Sequence, residues 1–171
     1  MGEGCSVPLS LVHRAGVDTL GKLERAAVKR FREARRLQEA GEALGAVYLY
    51  GYSAEITLKV AYYRIIGLVP TTPIDQRLHR RPAENRISAM TPLASGPPGH
   101  NISGWAKLVE QTRPVRWPTA FAVVYYHRVD DLVACWAEFL RYRANEPFQE
   151  ELRAVRQAAW WFRRNSGTLW R

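Results

Sequence analysis

One stretch decides the fold: residues 42–66, EALGAVYLYGYSAEITLKVAYYRII. Apolar and small side chains recur in it every three or four residues, which is the spacing of one face of an α-helix. These positions are Leu44, Val47, Gly51, Ala54, Leu58, Ala61 and Ile65. A stripe of this kind is typical of the seam of a helical bundle, and Gly67 followed by Pro70 is expected to end the helix.

The segments on either side of this helix carry the same periodicity. Upstream, Asp18 is expected to cap a helix that runs to Gly41. Downstream, Asn101 or Ser103 opens another helix, a long one is expected over residues 119–144, and Asn145 with Pro147 begins the last. No alternating pattern indicates a strand. The sequence therefore predicts an all-α, up-and-down bundle of about five helices.

Two segments lack this periodicity. Residues 68–100 contain six of the ten prolines, so a long irregular connection is expected there, in which Asp75–Arg81 or Glu84–Met90 could make a short helix. Residues 1–17 hold Gly, Ser and Pro without a repeat and are expected to form a flexible N-terminal arm. The predicted organisation is a single helical domain, residues 18–171, with an irregular insertion at 68–100.

The composition excludes several classes of protein. A chain of 171 residues with 47% hydrophobic content can bury a core, so intrinsic disorder is not expected. The longest apolar stretches are about seven residues, whereas about 20 are needed to span a bilayer. The start of the chain does not resemble a secretory signal. The only cysteines, Cys5 and Cys135, form no CxxC pair, so we expect a cytoplasmic protein without metal, cofactor or membrane contact.

The charge balance points to an acidic partner. Lys and Arg number 25 against 16 Asp and Glu, a net charge of +9, and 21 of the 25 are arginine. Such a surface suits RNA, DNA, a nucleotide or an acidic protein, although a compositional bias of the genome would also produce it.

Three basic patches are candidate binding surfaces. The first lies on the first helix and comprises Lys22, Arg25, Lys29, Arg32 and Arg36. The second lies in the proline-rich connection and comprises Arg77, His79, Arg80 and Arg81. The third lies on the last helix and comprises Arg153, Arg156, Arg163 and Arg164 beside Trp160. A stripe of this kind could follow several phosphates; the alternatives are a solvated face with i,i+4 ion pairs and an exposed loop without a partner.

Motifs that would define an enzyme are scarce. The chain contains no GxSxG, P-loop or GxGxxG sequence. His127 and Asp131 lie four residues apart on a predicted helix and could be half of a metal site, but a second pair of ligands is missing. No metal site is therefore predicted.

Three short motifs nevertheless occur in a meaningful order. Gly51–Lys59 reads GYSAEITLK, His100-Asn101-Ile102 opens a predicted helix, and Arg141-Tyr142 precedes the last helix. They resemble the G-Y-x-x-E-x-x-L-K, H-[D/N]-[L/I] and R-Y elements of the HEPN family of small helical domains. The resemblance covers about residues 42–165.

The resemblance implies a helical bundle, commonly a homodimer, tied to RNA or nucleotide biology and to toxin–antitoxin or defence systems. It places His100, Asn101, Arg141 and Tyr142 near the functional surface. The arginine that ribonuclease members carry shortly before a histidine is absent here. We therefore expect a module that binds RNA, a nucleotide or a partner nucleotidyltransferase. The alternatives are a ribonuclease with a non-standard site built from His100, Arg141 and Tyr142, and a basic protein-interaction module.

Overall fold

The computed structural model describes residues 18–91 and 97–171. The expected N-terminal arm, residues 1–17, lies outside the described residues. Within them the chain forms seven α-helices and no β-strand, which confirms the predicted all-α bundle. The helices are α1 (Leu20–Glu39), α2 (Ala43–Ile65), α3 (Arg81–Met90), α4 (Ile102–Thr112), α5 (Thr119–Cys135), α6 (Gln149–Arg164) and α7 (Ser166–Leu169). In the described part of the chain, no helix is long and apolar enough to cross a membrane.

Helix α2 is the centre of the bundle. Helices α1, α4, α6 and α7 all pack against it, so it is buried on nearly every side. This accounts for its apolar composition, which goes beyond the single stripe that the sequence shows. Three polar side chains, Ser53, Glu55 and Thr57, are buried with it and must find partners inside the protein.

Helix α1 begins one residue later than predicted. The cap is Thr19, whose Oγ1 accepts a hydrogen bond from the N–H of Lys22 at 3.3 Å. Asp18 was the predicted cap, but its carboxylate instead pairs with Arg80 at 2.8 Å. The backbone beyond α2 returns along this end of α1, where the N–H of Gly21 donates to the carbonyl of Pro70 at 2.8 Å.

The predicted long helix over residues 119–144 is wrong at its C-terminal end. Helix α5 ends at Cys135, because Trp136 adopts an extended conformation and turns its side chain onto α2. There the indole N–H donates to the carbonyl of Tyr48 at 2.9 Å, and the ring fills the space beside Gly51. A short 3-10 turn, Glu138–Tyr142, follows. Phe148, rather than Asn145 or Pro147, is the residue that caps α6.

Residues 68–100, expected to be irregular, include the ten-residue helix α3 and the π-helical turn Gln76–Arg80 before it. Asp75 starts the turn, because its Oδ1 accepts the N–H groups of Arg77 at 2.7 Å and Leu78 at 2.8 Å. Ile87 then anchors α3 by packing against Gly104 of α4. A Cβ at position 104 would collide with the Ile87 side chain. Capping and packing therefore impose helical structure despite the prolines. Residues 92–96 of this stretch are outside the described part.

Candidate functional site

An open groove of about 550 Å³ lies between α1 and α6, with Tyr50 of α2 in its wall. We call it the α1–α6 groove. Its lining residues are Phe31, Arg35, Gln38, Glu39, Tyr50, Arg156, Gln157, Trp160 and Arg163. Three aromatic rings and three guanidinium groups therefore line one concave surface. This combination is typical of sites where bases stack and phosphates are neutralised.

The guanidinium groups of α6 are available to an anion. Arg156 and Arg163 have no carboxylate partner among residues 18–91 and 97–171, whereas Arg35 pairs with Glu39 at 3.1 Å. Arg163 lies over the ring of Phe31, at 5.0 Å from its centroid. Trp160 is 48% exposed, far more than a core tryptophan. Arg164 lies 5.1 Å from the Trp160 ring centroid and extends the positive edge of the groove.

The basic stripe of α1 borders the same region. Arg25, Lys29, Arg32 and Arg36 line a shallow surface depression with Glu24, Val28 and Glu33. Lys29 is 3.8 Å from Glu33, an exposed i,i+4 pair of small energetic weight. In the described structure, Arg25, Arg32 and Arg36 form no ion pair. These exposed guanidinium groups fit both the predicted binding stripe and the alternative of a solvated face with i,i+4 ion pairs. Lys22, at the start of the stripe, is half-buried in the first turn of α1.

A cavity of about 330 Å³ connects these two surfaces, and we call it the inner cavity. It lies between α1, α2 and the C-terminal residues, and its lining residues are Glu24, Ala27, Val28, Ser53, Thr57, Val60, Arg64, Arg163, Ser166 and Trp170. Glu24 and Val28 also line the α1 depression, and Arg163 also lines the α1–α6 groove. The basic patches predicted on the first and last helices are thus parts of one continuous surface.

The second predicted patch, in the proline-rich connection, lies apart from that surface. Arg77, His79, Arg80 and Arg81 belong to the π-helical turn and the start of α3, not to the flexible loop that the prolines suggested. Arg80 pairs with Asp18, and His79 Nδ1 accepts the backbone N–H of Asp75 at 2.9 Å. Arg77 and Arg81 are exposed. As far as the described residues show, none of the four lines the groove or the inner cavity.

The family-like motifs meet at a different place, around the buried carboxylate of Glu55. Its Oε1 accepts from Lys59 Nζ at 2.5 Å and its Oε2 lies 3.0 Å from His100 Nδ1. The bond to Oε2 fixes the imidazole so that Nε2 is the nitrogen left for other contacts. The side chain of Asn101 makes other contacts. Its Oδ1 caps α4 by accepting the N–H of Gly104, and its Nδ2 donates to Thr91 Oγ1, both at 2.8 Å.

Arg141 and Tyr142 reach the same side of α2 from the 3-10 turn. Arg141 is paired with Glu138, lies 4.7 Å from the Tyr142 ring centroid and contacts the hydroxyl of Tyr48. Tyr48 stacks on Tyr52 with 6.1 Å between ring centroids, and the Tyr52 ring is 6.5 Å from that of His100. A chain of contacts through the rings of Tyr48 and Tyr52 therefore links Arg141 to His100.

Burial, with a further contribution from the nearby Glu55 carboxylate, raises the pKa of Tyr52, so its phenol stays protonated at neutral pH. Tyr48 and Tyr52 lie two residues on either side of Tyr50, about 200° around the helix. The motif cluster is thus on the opposite side of α2 from the α1–α6 groove.

The half-site suggested by His127 and Asp131 does not form. Asp131 pairs with Arg128 at 2.7 Å on the same helix, and His127 is exposed. Among the residues that the structure describes, no group of three or more His, Cys, Asp or Glu side chains could hold a metal ion.

Comparison with known proteins does not add to this picture, since no family model, curated protein or solved structure matches the chain. The candidate site therefore rests on geometry and chemistry alone.

Proposed function

We propose that the protein is an RNA- or nucleotide-binding module and that its binding surface is the α1–α6 groove together with the adjoining basic face of α1. The supporting observation is that the half-exposed Trp160 lines the same groove as Arg156 and Arg163. Both arginines lack carboxylate partners within the described residues. Stacking on a tryptophan contributes about 1–3 kcal/mol per base, and guanidinium groups neutralise the backbone. Single-stranded RNA or a free nucleotide satisfies both requirements.

The test is RNA affinity measured by fluorescence anisotropy across a salt series. Each neutralised phosphate contributes about −0.7 to the slope of log K against log salt for a single strand. We expect Arg163→Gln to reduce the steepness of that slope by about this amount and to weaken binding. Arg86→Gln is the matched control, because Arg86 is an exposed arginine on α3, away from the groove.

Two results would contradict the proposal. Equal salt slopes for the two variants would exclude Arg163 from the interface. Absence of RNA binding by the unmodified protein at low salt would instead favour the alternative of a basic module that docks an acidic protein.

The motif cluster supports a second proposal, membership of the HEPN family in a toxin–antitoxin or defence setting, with a nucleotidyltransferase as partner. Residues 55, 100 and 141, from three separate motifs, lie along one side of α2. The neighbouring gene tests this proposal. A small nucleotidyltransferase encoded beside it would support the pairing, and its absence would count against it.

A ribonuclease is the remaining candidate. The Glu55 carboxylate holds His100 Nδ1, which would let Nε2 take a proton from a ribose hydroxyl while Arg141 stabilises phosphate charge. The rings of Tyr48 and Tyr52 lie between the two groups in the chain of contacts that links them.

RNA cleavage decides this candidate. The unmodified protein should cut RNA, and His100→Ala should leave it intact. Equal cleavage by both would remove His100 from any mechanism. Arg143→Ala is a control on the same segment, since Arg143 is exposed and lies over Phe139 rather than toward His100.

We also propose a homodimer formed through the outer face of α5. Val123, Tyr126 and Val133 lie on one face of this helix and are 63%, 38% and 51% exposed. The exposed residues His127 and Asp130 lie at the centre of the same helix. A two-fold axis crossing between them would set His127 of one copy near Asp130 of the other, a self-complementary arrangement.

A further inference from the structure

The inner cavity has the dimensions of a site for one flat ring. Its volume of about 330 Å³ lies at the lower end of the range for ligand pockets, about 300–1,000 Å³. Ala27, Val28 and Val60 form an apolar wall, and the indole of Trp170 lies at another side. Apolar walls with an aromatic plane favour a planar heterocycle over a flexible chain.

The two buried hydroxyls of the cavity, those of Ser53 and Thr57, can act only as acceptors toward a ligand. Ser53 and Thr57 are 1% and 6% exposed, and each hydroxyl hydrogen is already donated to a backbone carbonyl. Ser53 donates to Ala27 at 2.8 Å, and Thr57 donates to Ser53 at 2.9 Å. Each hydroxyl can therefore still form a hydrogen bond only by accepting one through its oxygen lone pairs, which requires a donor on the ligand.

The charged groups at the cavity add one acceptor, on Glu24, and one cation, Arg163. Arg64 binds Glu24 through two nitrogens, at 2.7 and 2.6 Å, and both contacts are to Oε1. Within residues 18–91 and 97–171 this leaves Glu24 Oε2 as another acceptor. Arg163 lacks a carboxylate partner in the same ranges and is shared by the cavity and the groove, so it presents a positive charge where they meet.

We infer that the inner cavity takes one nucleobase with an exocyclic amino group, which donates to this acceptor wall while Arg163 holds the adjoining phosphate. The inference rests on the proposed function and specifies its substrate class. A base within a duplex is stacked and its amino group is paired, so the cavity accepts unpaired bases only. Cytosine donates through N4, whereas uracil presents a carbonyl oxygen at the same position, which meets lone pairs instead of donors.

The experiment compares oligocytidylate with oligouridylate of equal length and with an RNA duplex, because cytosine and uracil differ only at position 4 and in the hydrogen that uracil carries on N3. One or two hydrogen bonds correspond to a preference of about five- to tenfold, so we expect the unmodified protein to prefer oligocytidylate by that factor. The duplex should bind more weakly than either strand.

A cavity-filling variant shows whether the preference arises in the cavity. Val28→Phe adds a ring to the wall contributed by α1 without changing the charge of the protein. It should abolish the cytidine preference and keep the salt-dependent part of RNA binding. Val115→Phe is the control, because Val115 is a 65% exposed valine in the turn before α5. Both variants are checked for cooperative thermal unfolding.

Mononucleotides examine the cavity independently of RNA. In saturation-transfer difference NMR, cytidine monophosphate should bind more tightly than uridine monophosphate. With Val28→Phe, neither nucleotide should give a signal. Equal binding of the two nucleotides, or unchanged binding in Val28→Phe, overturns the inference even if RNA binds the groove. Failure of every RNA to bind while cytidine monophosphate binds overturns the proposed RNA surface and leaves the cavity site standing.

Discussion

At the scale of single residues, Gly51 shows how one absent side chain organises the bundle. The ring of Trp136 occupies the position where a Cβ at residue 51 would lie. We expect Gly51→Ala to lower the free energy of unfolding by about 1–3 kcal/mol, because the indole must move and its hydrogen bond to Tyr48 is strained. Urea denaturation followed by circular dichroism measures the change.

Gly167→Ala is the matched control for this prediction. Gly167 lies in helix α7 with nothing within 4 Å of an added Cβ. Alanine there should be neutral or stabilising by up to about 1 kcal/mol, since it reduces the freedom of the unfolded chain. A loss equal to that of Gly51→Ala would show that packing against Trp136 is not the cause.

At the scale of an element, the π-helical turn before α3 is held by one carboxylate. The N–H groups of Leu78 and Arg77, which donate to Asp75, lower the pKa of this residue below its ordinary value. A lowered pKa stabilises the folded form above the ordinary carboxyl pKa of about 4, and the contribution is lost as the pH falls through the folded value. The start of α3 should therefore fray in acid.

Hydrogen exchange checks this expectation. The amide protons of Arg77 and Leu78 should lose protection as the pH is lowered below about 4, the ordinary carboxyl pKa. Asp75→Asn keeps a side-chain oxygen that caps without titrating, so its protection should be independent of pH over the same interval, after correction for intrinsic exchange. Identical profiles for the two proteins would rule out Asp75 as the acid-sensitive group.

The elements also show where sequence reasoning succeeds. Helix α2 was predicted because its periodicity is local, and a local pattern survives in any tertiary context. The end of α5 was not predicted, because it depends on a contact between Trp136 and Gly51, which is far away in sequence. The periodic spacing continued through Trp136 to Phe139, so nothing local marked the break. In residues 68–100, both segments named as possible short helices are helical, and Asp75, a strong cap before Gln76 and Arg77, marks where the first begins.

For the candidate site, sequence reasoning found the parts but not their arrangement. The arginines of α1 and α6 were named as separate patches, since nothing local shows that two helices share a groove. The inner cavity could not be predicted, because Ser53, Arg64 and Trp170 come from distant positions and have no common motif. The motif residues around Glu55 were named individually, and the structure supplies the hydrogen bond that joins Glu55 to His100.

At the scale of the whole molecule, the proposed homodimer makes a clear prediction. Val133→Glu should convert the dimer to a monomer, because it buries an unpaired carboxylate on each side of the two-fold axis. Light scattering after size-exclusion chromatography measures the mass of each form. Val69→Glu is the control, since Val69 has nearly the same exposure, 53% against 51%, and lies in the connection after α2 rather than on α5.

The mass readings separate the possible outcomes. A dimer in the control and a monomer in Val133→Glu support the α5 interface. An unmodified protein that is already monomeric at high concentration contradicts the homodimer, and a dimer in both variants places the interface elsewhere.

The contact between Trp136 and Gly51 also restricts which sequences can adopt this fold. In a saturation library at position 51, glycine should be strongly enriched among folded variants, since every other residue brings a Cβ into the indole. Position 45 should tolerate alanine, because the atom in its way is the flexible end of Leu37. A distant relative of this chain is therefore more readily recognised by a glycine and a tryptophan about 85 residues apart than by overall identity.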